Sequence, residues 1–291
     1  MKFWYRIFYG FCWLLALLPL RCLYVISDLM FVVVCYVMRY RRKVVLENLR
    51  NSFPEKSERE RRQIARKFYR FLCDLIVETL KVANIDTPQI RRRIKYSNPE
   101  IFDELYRKGK QILFVTGHYG NWEWLATLEN TTPYHHATLY HPLESRFFDK
   151  FIYDLRTKYG TDAIPTFQAI RAINDYKYEN RLTTLCFLAD QSPPRNAVHH
   201  WTTFLNQDTA VYQGVEKLAK RYNTAVLYYE IRRVKRGYYE VDVTPITENA
   251  AETFDMGITN QHVRLLEETI RRNPQYWLWS HRRWKHKRVE N

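Results

Sequence analysis

Cysteine and glycine are both scarce in this 291-residue chain, which contains 5 Cys and 8 Gly. The cysteines are scattered and form no Cys-x-x-Cys pair: Cys12, Cys22, Cys35, Cys73 and Cys186. A disulfide framework or a structural zinc site is therefore not predicted, and a reducing compartment fits best. The low glycine content, with only 11 Pro, also excludes collagen-like and low-complexity chains. The length allows one large domain or two small ones. Because the sequence has no internal repeat and no long linker, a single domain with a helical N-terminal extension is the simplest expectation.

Acidic residues are outnumbered, with 31 Asp+Glu against 46 Lys+Arg and a formal charge of +15. Apolar residues make up 46% of the chain and aromatic residues 16%, which is enough to form a core and excludes a mostly disordered chain. Such a charge attracts nucleic acid, an anionic membrane surface or an acidic protein. The aromatic content suits base stacking and a membrane-interface belt equally, so composition alone does not choose the partner.

The N-terminal segment favours a membrane, because residues 7–38 are almost entirely apolar or aromatic. Residues 7–20 are too short to span a bilayer, which takes about 20 apolar residues, whereas residues 22–38 are nearly long enough. Pro19 is expected to break or kink the helix, and Asp28 is costly at mid-membrane. Two arrangements follow: a single tilted spanning helix, or a bent pair of helices in one leaflet.

Positive charge flanks this apolar segment on both sides. Lys2 and Arg6 precede it, and a denser cluster follows it: Arg39, Arg41, Arg42 and Lys43. Dense basic clusters stay cytoplasmic, so the body of the protein is predicted on the cytoplasmic side. A cleaved signal peptide is disfavoured, since the apolar run is too long and no small-residue cleavage site follows it.

The next region is predicted to be helical from Arg41 to Lys81, with a break at Ser52–Pro54. Ser57 and Glu60 form a capping-box pattern that restarts the helix. The polar face of this helix is very basic, and a solvated surface and a lipid- or partner-facing surface are equally compatible with it.

Beyond Lys110 the pattern changes to short apolar runs of strand length at 111–116, 181–189, 224–231 and 238–246. Helical patterns lie between or beside them, at 122–128, 145–158, 167–176 and 212–221. Strands that alternate with helices predict an α/β fold with a largely parallel central sheet flanked by helices. The predicted division is a membrane anchor over 1–43, a helical region over 44–110 that packs on the core, and an α/β core over 111–291 with a basic tail.

The sharpest motif is Gly-His-x-Gly-Asn-x-Glu, from Gly117 to Glu123, which follows the first buried strand directly. Active sites form at the carboxyl ends of strands in open α/β sheets. A tight turn is expected to bring the Glu123 carboxylate to one imidazole nitrogen of His118, which leaves the other nitrogen as a general base. No Ser or Cys lies within the motif, so the nucleophile is expected to be a hydroxyl of the acceptor substrate.

A His and a Glu five residues apart are a weak signal by themselves, and such a pair also arises from a loop histidine and a carboxylate at a helix N-terminus. The strand and glycine context favours function. A metal site is less well supported, because no second His or carboxylate sits at ligand spacing. No metal and no cofactor are predicted.

Four segments in order along nearly the whole chain resemble the bacterial lipid A biosynthesis acyltransferases, the late lauroyl/myristoyl transferase family of the His-x4-Asp/Glu lysophospholipid acyltransferase superfamily. Beyond the apolar anchor they are Arg42–Pro54, Gly117–Glu123, Asp190-Gln191 and Asn273–Lys285. The last contains Pro-x-Tyr-x-x-Trp-x-His-Arg-Arg, which is specific to the family. The chain departs from better-known members at Pro193-Pro194 and at Tyr140–Pro142, which puts acceptor and donor-chain preference in doubt but leaves the reaction type unchanged.

The resemblance implies acyl transfer from an acyl carrier protein thioester to a hydroxyl of a lipid A precursor, at the cytoplasmic face of the bacterial inner membrane. His118 would be the base and Glu123 would hold it. The backbone amides of Gly120 and Asn121 are candidate oxyanion donors. The family also suggests an Arg after the motif, which maps to Arg156, although this Arg is equally explained as an ordinary surface ion pair.

Further residues are candidates for substrate binding. Asp190 and Gln191 end the second strand, so they are expected at the same sheet edge, although a turn cap is the alternative. Arg282 and Arg283 belong to a basic, Trp-rich tail that suits a phosphorylated lipid surface or an acidic carrier protein. Nucleic acid is not predicted, since the chain lacks a recognisable binding motif. Two other hypotheses stay open: a relative acting on a lysophospholipid, aminolipid or glycolipid, and a non-enzymatic membrane scaffold.

Overall fold

The computed structural model describes residues 2–288. Its helices are α1 (Lys2–Leu17), α2 (Leu20–Val32), α3 (Arg42–Ser52), α4 (Glu58–Lys81), α5 (Thr87–Arg91), α6 (Glu100–Arg107), α7 (Arg146–Arg156), α8 (Ala169–Tyr178), α9 (Gly214–Tyr222) and α10 (Gly257–Arg272). Its strands are β1 (Ile94–Tyr96), β2 (Ile112–Thr116), β3 (His135–Tyr140), β4 (Asp162–Pro165), β5 (Thr183–Leu188), β6 (His200–Phe204), β7 (Gln207–Val211), β8 (Ala225–Lys235) and β9 (Tyr238–Thr247).

Seven strands form one sheet in the order β1-β9-β8-β2-β5-β3-β4. Every neighbouring pair is parallel except β8 and β9, which form an antiparallel hairpin. The predicted α/β class with a largely parallel sheet and an apolar N-terminal helix is thereby confirmed. β2 and β5 are almost wholly buried because helices cover both faces of the sheet.

The predicted strand runs correspond to β2, β5, β8 and β9, but the pattern did not reveal the other five strands. β3 and β4 carry polar residues and lie at one edge of the sheet. β6 and β7 form a separate two-stranded hairpin. The division into three segments stays a prediction; β1 precedes residue 110 yet belongs to the main sheet.

The helical region follows the predicted local rules. α3 ends at Ser52, and α4 begins after Ser57, whose hydroxyl accepts from the Glu60 N–H while the Glu60 carboxylate accepts from the Ser57 N–H. This reciprocal cap satisfies two N–H groups that would otherwise lack a partner in the first turn.

The apolar N-terminus is broken at Pro19, and α2 continues into a π-helical turn, Val33–Val37. Residues Leu20–Val37 are the one described stretch that is long and apolar enough to cross a membrane. α2 nevertheless carries a polar face toward the core. Ser27 donates to Asp74 at 2.7 Å, and Asp28 pairs with Arg236 at 2.9 Å. Asp74 on α4 also accepts from Arg233 and Arg236, so this face of α2 is bonded to the body of the protein.

Candidate active site

The sheet brings two of the predicted site segments together. β2 and β5 are adjacent and parallel, with Thr116 in register with Leu188. The residues that follow each strand, Gly117-His118 and Asp190-Gln191, therefore emerge at the same edge. Gly117 allows this approach, because a Cβ there would lie 3.2 Å from Asp190 Cγ and 2.8 Å from the Leu266 side chain.

Asp190 is the carboxylate that contacts the imidazole of His118. Its Oδ1 lies 2.6 Å from His118 Nδ1, and its Oδ2 accepts from the His118 backbone N–H at 2.9 Å and from Trp277 Nε1–H at 2.8 Å. Burial raises the pKa of Asp190, but the charge of His118 and these hydrogen bonds outweigh burial and lower it to about 2. The carboxylate is thus ionised and fixes Nδ1 as a donor, while Nε2 faces Gln191 at the cavity.

This contact corrects the prediction that Glu123 holds His118. Glu123 instead accepts two hydrogen bonds from Arg156, from Nε at 2.9 Å and from Nη2 at 2.7 Å, and a third from Trp122 Nε1–H at 3.0 Å. The carboxylate lies in the first turn of a 3-10 helix, Trp122–Asn130, where the end of α7 delivers the guanidinium. Burial raises the pKa of Glu123, but Arg156 outweighs burial and the net direction is downward.

The Trp122 ring connects the two charge pairs. Its centroid lies 5.0 Å from that of His118 in an edge-to-face arrangement, while its N–H donates to Glu123. The indole therefore lies between the imidazole and the Glu123 carboxylate and packs against the one while it bonds to the other.

Gly120 and Asn121, whose backbone N–H groups are the predicted oxyanion donors, both bond to other parts of the protein. The Gly120 N–H donates to the Tyr276 carbonyl at 3.1 Å, and the side chain of fully buried Asn121 donates to Glu78 at 2.8 Å. Neither residue lines the cavity at His118, whereas Arg156 does. Glu78 also accepts from Tyr24 of α2 and Tyr239 of β9, so a buried carboxylate joins the segment after His118 to α2.

A cavity of about 590 Å³ opens at His118. Polar side chains line one part of it, namely Trp122, Glu123, Arg156 and Gln191, and Gln191 Nε2 lies 3.3 Å from His118 Nε2. Apolar side chains line much of the remainder, including Phe114, Leu125, Ala126, Leu139, Ile152 and Phe187. A polar reacting group and an apolar chain fit such a cavity together.

The C-terminal segment completes the site. Leu278 lines the cavity, and its N–H donates to the His118 carbonyl at 3.1 Å. His281 accepts from the Ser192 N–H at 3.3 Å, and burial lowers the pKa of His281 to about 4, so it is neutral at pH 7. The sequence did not predict His281, Trp277 or Glu78 as site residues, although the first two lie within the Asn273–Lys285 segment noted in the sequence.

The two predicted tail arginines do not reach the cavity. Arg283 is 3% exposed, burial lowers its pKa to about 10, and its Nε and Nη1 have no hydrogen-bond partner among the described residues. Arg282 is exposed and lines a separate groove. Across residues 2–288, no three His, Cys, Asp or Glu side chains converge as a metal site would require.

Comparison with known proteins gives one family. The family model described as bacterial lipid A biosynthesis acyltransferase matches residues 2–286. No curated protein matches the chain. The match runs from α1 to the segment that covers His118, so it includes every element of the site.

Proposed function

Because the chain belongs to the bacterial lipid A biosynthesis acyltransferase family, we propose that it transfers a fatty acyl chain from an acyl carrier protein thioester to a hydroxyl of a lipid A precursor. The family makes the protein a bacterial acyltransferase of lipid A biosynthesis. The carrier-protein donor, the acceptor hydroxyl and the cytoplasmic face of the inner membrane belong to the proposal.

The observation that carries the proposal is the His118–Asp190 pair at an apolar cavity. His118 Nε2 takes the proton of the acceptor hydroxyl as the hydroxyl oxygen attacks the thioester carbonyl carbon. Asp190 holds the Nδ1 proton and stabilises the imidazolium. The tetrahedral intermediate then breaks its C–S bond, and the departing thiolate receives the proton from the imidazolium. The step balances without a metal or a nucleotide.

Arg156 is the proposed stabiliser of the oxyanion. Two of its five N–H groups are bonded to Glu123, which fixes the plane of the guanidinium beside the cavity. The other three remain for the negative oxygen that forms on the thioester carbonyl. Glu123 is thus a positioning residue for Arg156, and Gln191 is placed to contact the acceptor.

Membrane association is supported by the surface of the first helices. Large apolar side chains stand exposed along α1, α2 and the π-helical turn, including Phe3, Trp4, Phe11, Leu14, Val25, Leu29, Val33, Val37 and Met38. The basic residues that follow suit an anionic lipid surface.

The test is acyl transfer by the purified full-length protein, with acyl carrier protein thioester as donor and a lipid A precursor, a lysophospholipid, an aminolipid and a glycolipid as acceptors. We expect mass spectrometry to find one added acyl chain on the lipid A precursor alone. His118→Ala should abolish transfer, and exposed His199→Ala should retain it. If the protein acylated only one of the other acceptors, the proposed acyl transfer would stand but the proposed lipid A acceptor would be wrong. Full activity of His118→Ala would reject the proposed mechanism.

A further inference from the structure

Five cationic side chains from two distant parts of the chain line one surface groove of about 660 Å³. Arg39, Arg41, Arg42 and Lys43 follow the π-helical turn, and Arg282 comes from the C-terminal segment. Val44 and Leu46 complete the lining. We call this the basic groove; within the described chain its walls carry positive charge and no carboxylate.

The charges of the basic groove are not compensated by the protein. Across residues 2–288, none of the five cations forms an ion pair, and their one side-chain hydrogen bond runs from Arg41 Nη1 to the Ser280 carbonyl at 3.1 Å. Other arginines of the fold do have a counter-charge; for example, Arg156 is paired with Glu123 and Arg236 with Asp74. Like charges held together raise the local positive potential, so the groove is electrostatically complementary to an anion.

The groove is held in shape by the fold. Asn48 of α3 donates to the carbonyls of Trp279 and His281, at 2.9 Å each, which fastens the two walls to each other. Val45 and Leu49 bury the opposite side of α3 in the core. The backbone of Arg39 and Arg41 is left-handed, with φ of 50° and 47°. Such conformations are unfavourable for residues with a side chain and recur where a ligand is held.

The C-terminal segment connects the basic groove to the catalytic cavity. The segment that contributes Arg282 also contributes His281, which contacts Ser192 beside Gln191, and Leu278, which lines the cavity. On the other side, the exposed apolar residues Val33, Val37 and Met38 lead into the groove. Cations at such a boundary lie at the depth of lipid headgroups.

We propose that the basic groove binds a phosphate group of the acceptor lipid while the acceptor hydroxyl lies at His118. This inference rests on the proposed function and extends it from the reacting hydroxyl to recognition of the acceptor. Guanidinium groups suit the task, because their paired N–H donors match two phosphate oxygens at once.

The experiment compares a phosphorylated lipid A precursor with the same lipid after enzymatic removal of its phosphates. Binding to the full-length protein in detergent micelles is measured without donor, and initial rates are measured with donor. The test variant is Arg42→Gln/Arg282→Gln. The matched control, Arg171→Gln/Lys177→Gln, removes two positive charges from α8.

We expect the test variant to bind the phosphorylated acceptor about tenfold more weakly or worse, with an equal rise in KM and an unchanged kcat. The dephosphorylated acceptor should bind wild type and test variant alike. The control should keep the wild-type preference for phosphate.

Equal losses with both acceptors, or a preserved phosphate preference in the test variant, would overturn the proposal. A separate co-sedimentation assay with phosphatidylglycerol vesicles tests the alternative ligand. If the test variant lost binding to these vesicles but kept binding to the phosphorylated acceptor, the proposal would fail, because the groove would then hold bulk phospholipid. Wild-type protein that binds the phosphorylated acceptor in preference yet transfers no chain would reject the proposed function and leave the groove assignment standing.

Discussion

At the residue scale, Asp190 is a fully buried carboxylate that must stay charged. Its pKa of about 2 lies below the ordinary value of 3.8. When folding lowers the pKa of a carboxyl group, the ionised group stabilises the folded protein. This stabilisation is complete at a pH above the pKa of the unfolded chain, and it is lost as the pH falls through the pKa of the folded protein. The difference between the two pKa values corresponds to roughly 2 kcal/mol of unfolding free energy, and this stabilisation should disappear between about pH 5 and pH 2.

The Asp190→Asn variant should therefore be less stable than wild type at pH 7. The difference in unfolding free energy between the two proteins should become smaller as the pH is lowered to 3. Urea unfolding at pH 7, 5 and 3 measures it. Exposed Asp175→Asn is the control, for which no such narrowing is expected. A gap that does not change with pH would mean that Asp190 is not ionised in the folded protein.

Glu123 and Arg156 should behave as one unit. The two side chains are only 18% and 13% exposed, so removing either partner leaves the other charge largely shielded from water without its counter-charge, and each single substitution to Gln should cost about 3 kcal/mol of unfolding free energy. The double variant removes both charges and should lose much less than the sum. A double-mutant cycle of denaturation measurements checks this, and additive losses would show that the pair is not coupled.

At the element scale, the turn between β2 and the following helix depends on Gly120. Its φ is +61°, and a Cβ there would lie 2.6 Å from the Ile231 carbonyl oxygen. Gly120→Ala should therefore cost about 2 kcal/mol or more beyond backbone strain alone. Gly109→Ala is the matched control, because its φ is +64° but a Cβ there would meet nothing within 4 Å. Similar losses of thermal stability in both variants would contradict the steric explanation.

The contact between α2 and α4 depends on Asp74 far more than on Asp28. Asp74 is buried and accepts from Ser27, Arg233 and Arg236, whereas Asp28 is half-exposed and pairs only with Arg236. Asp74→Asn should destabilise the protein by about 3 kcal/mol, since it leaves the largely buried Arg233 guanidinium without its ion-pair partner. Asp28→Asn should cost less than about 1 kcal/mol. Denaturation in detergent measures both, and equal losses would contradict the ranking.

The sequence predicted elements whose pattern is local. β2 and β5 are continuous apolar runs, β8 begins with one, β9 alternates apolar and polar residues, and the α4 cap is a four-residue pattern. It did not predict which carboxylate faces His118, because Glu123 is near in sequence and Asp190 is near only through the parallel pairing of β2 with β5. The basic groove likewise joins residues 39–43 to Arg282, and only the docking of α3 on the C-terminal segment brings them together.

At the scale of the whole molecule, the exposed apolar side of the first helices should determine membrane binding. Val33→Asp/Val37→Asp places two charges on this side and should sharply reduce co-sedimentation with anionic vesicles. The control variant, Phe167→Asp/Ile170→Asp, changes two exposed apolar residues elsewhere and should co-sediment with the vesicles as wild type does. Salt should weaken the binding of wild-type protein. Equal losses in the two variants would move the membrane contact to another surface.

The hydrogen bonds of Glu78 have a practical consequence for producing the enzyme in water. Tyr24 of α2, Tyr239 of β9 and Asn121 of the His118 loop all donate to this one buried carboxylate. A shortened chain that starts after the apolar helices would remove the Tyr24 hydroxyl and also expose the Ser27 side of Asp74. Trimming for solubility would therefore loosen the loop that carries the His118 imidazole, and low activity of such a fragment would reflect the loss of this support. Detergent or lipid around the intact chain is the better route to measuring the true rate.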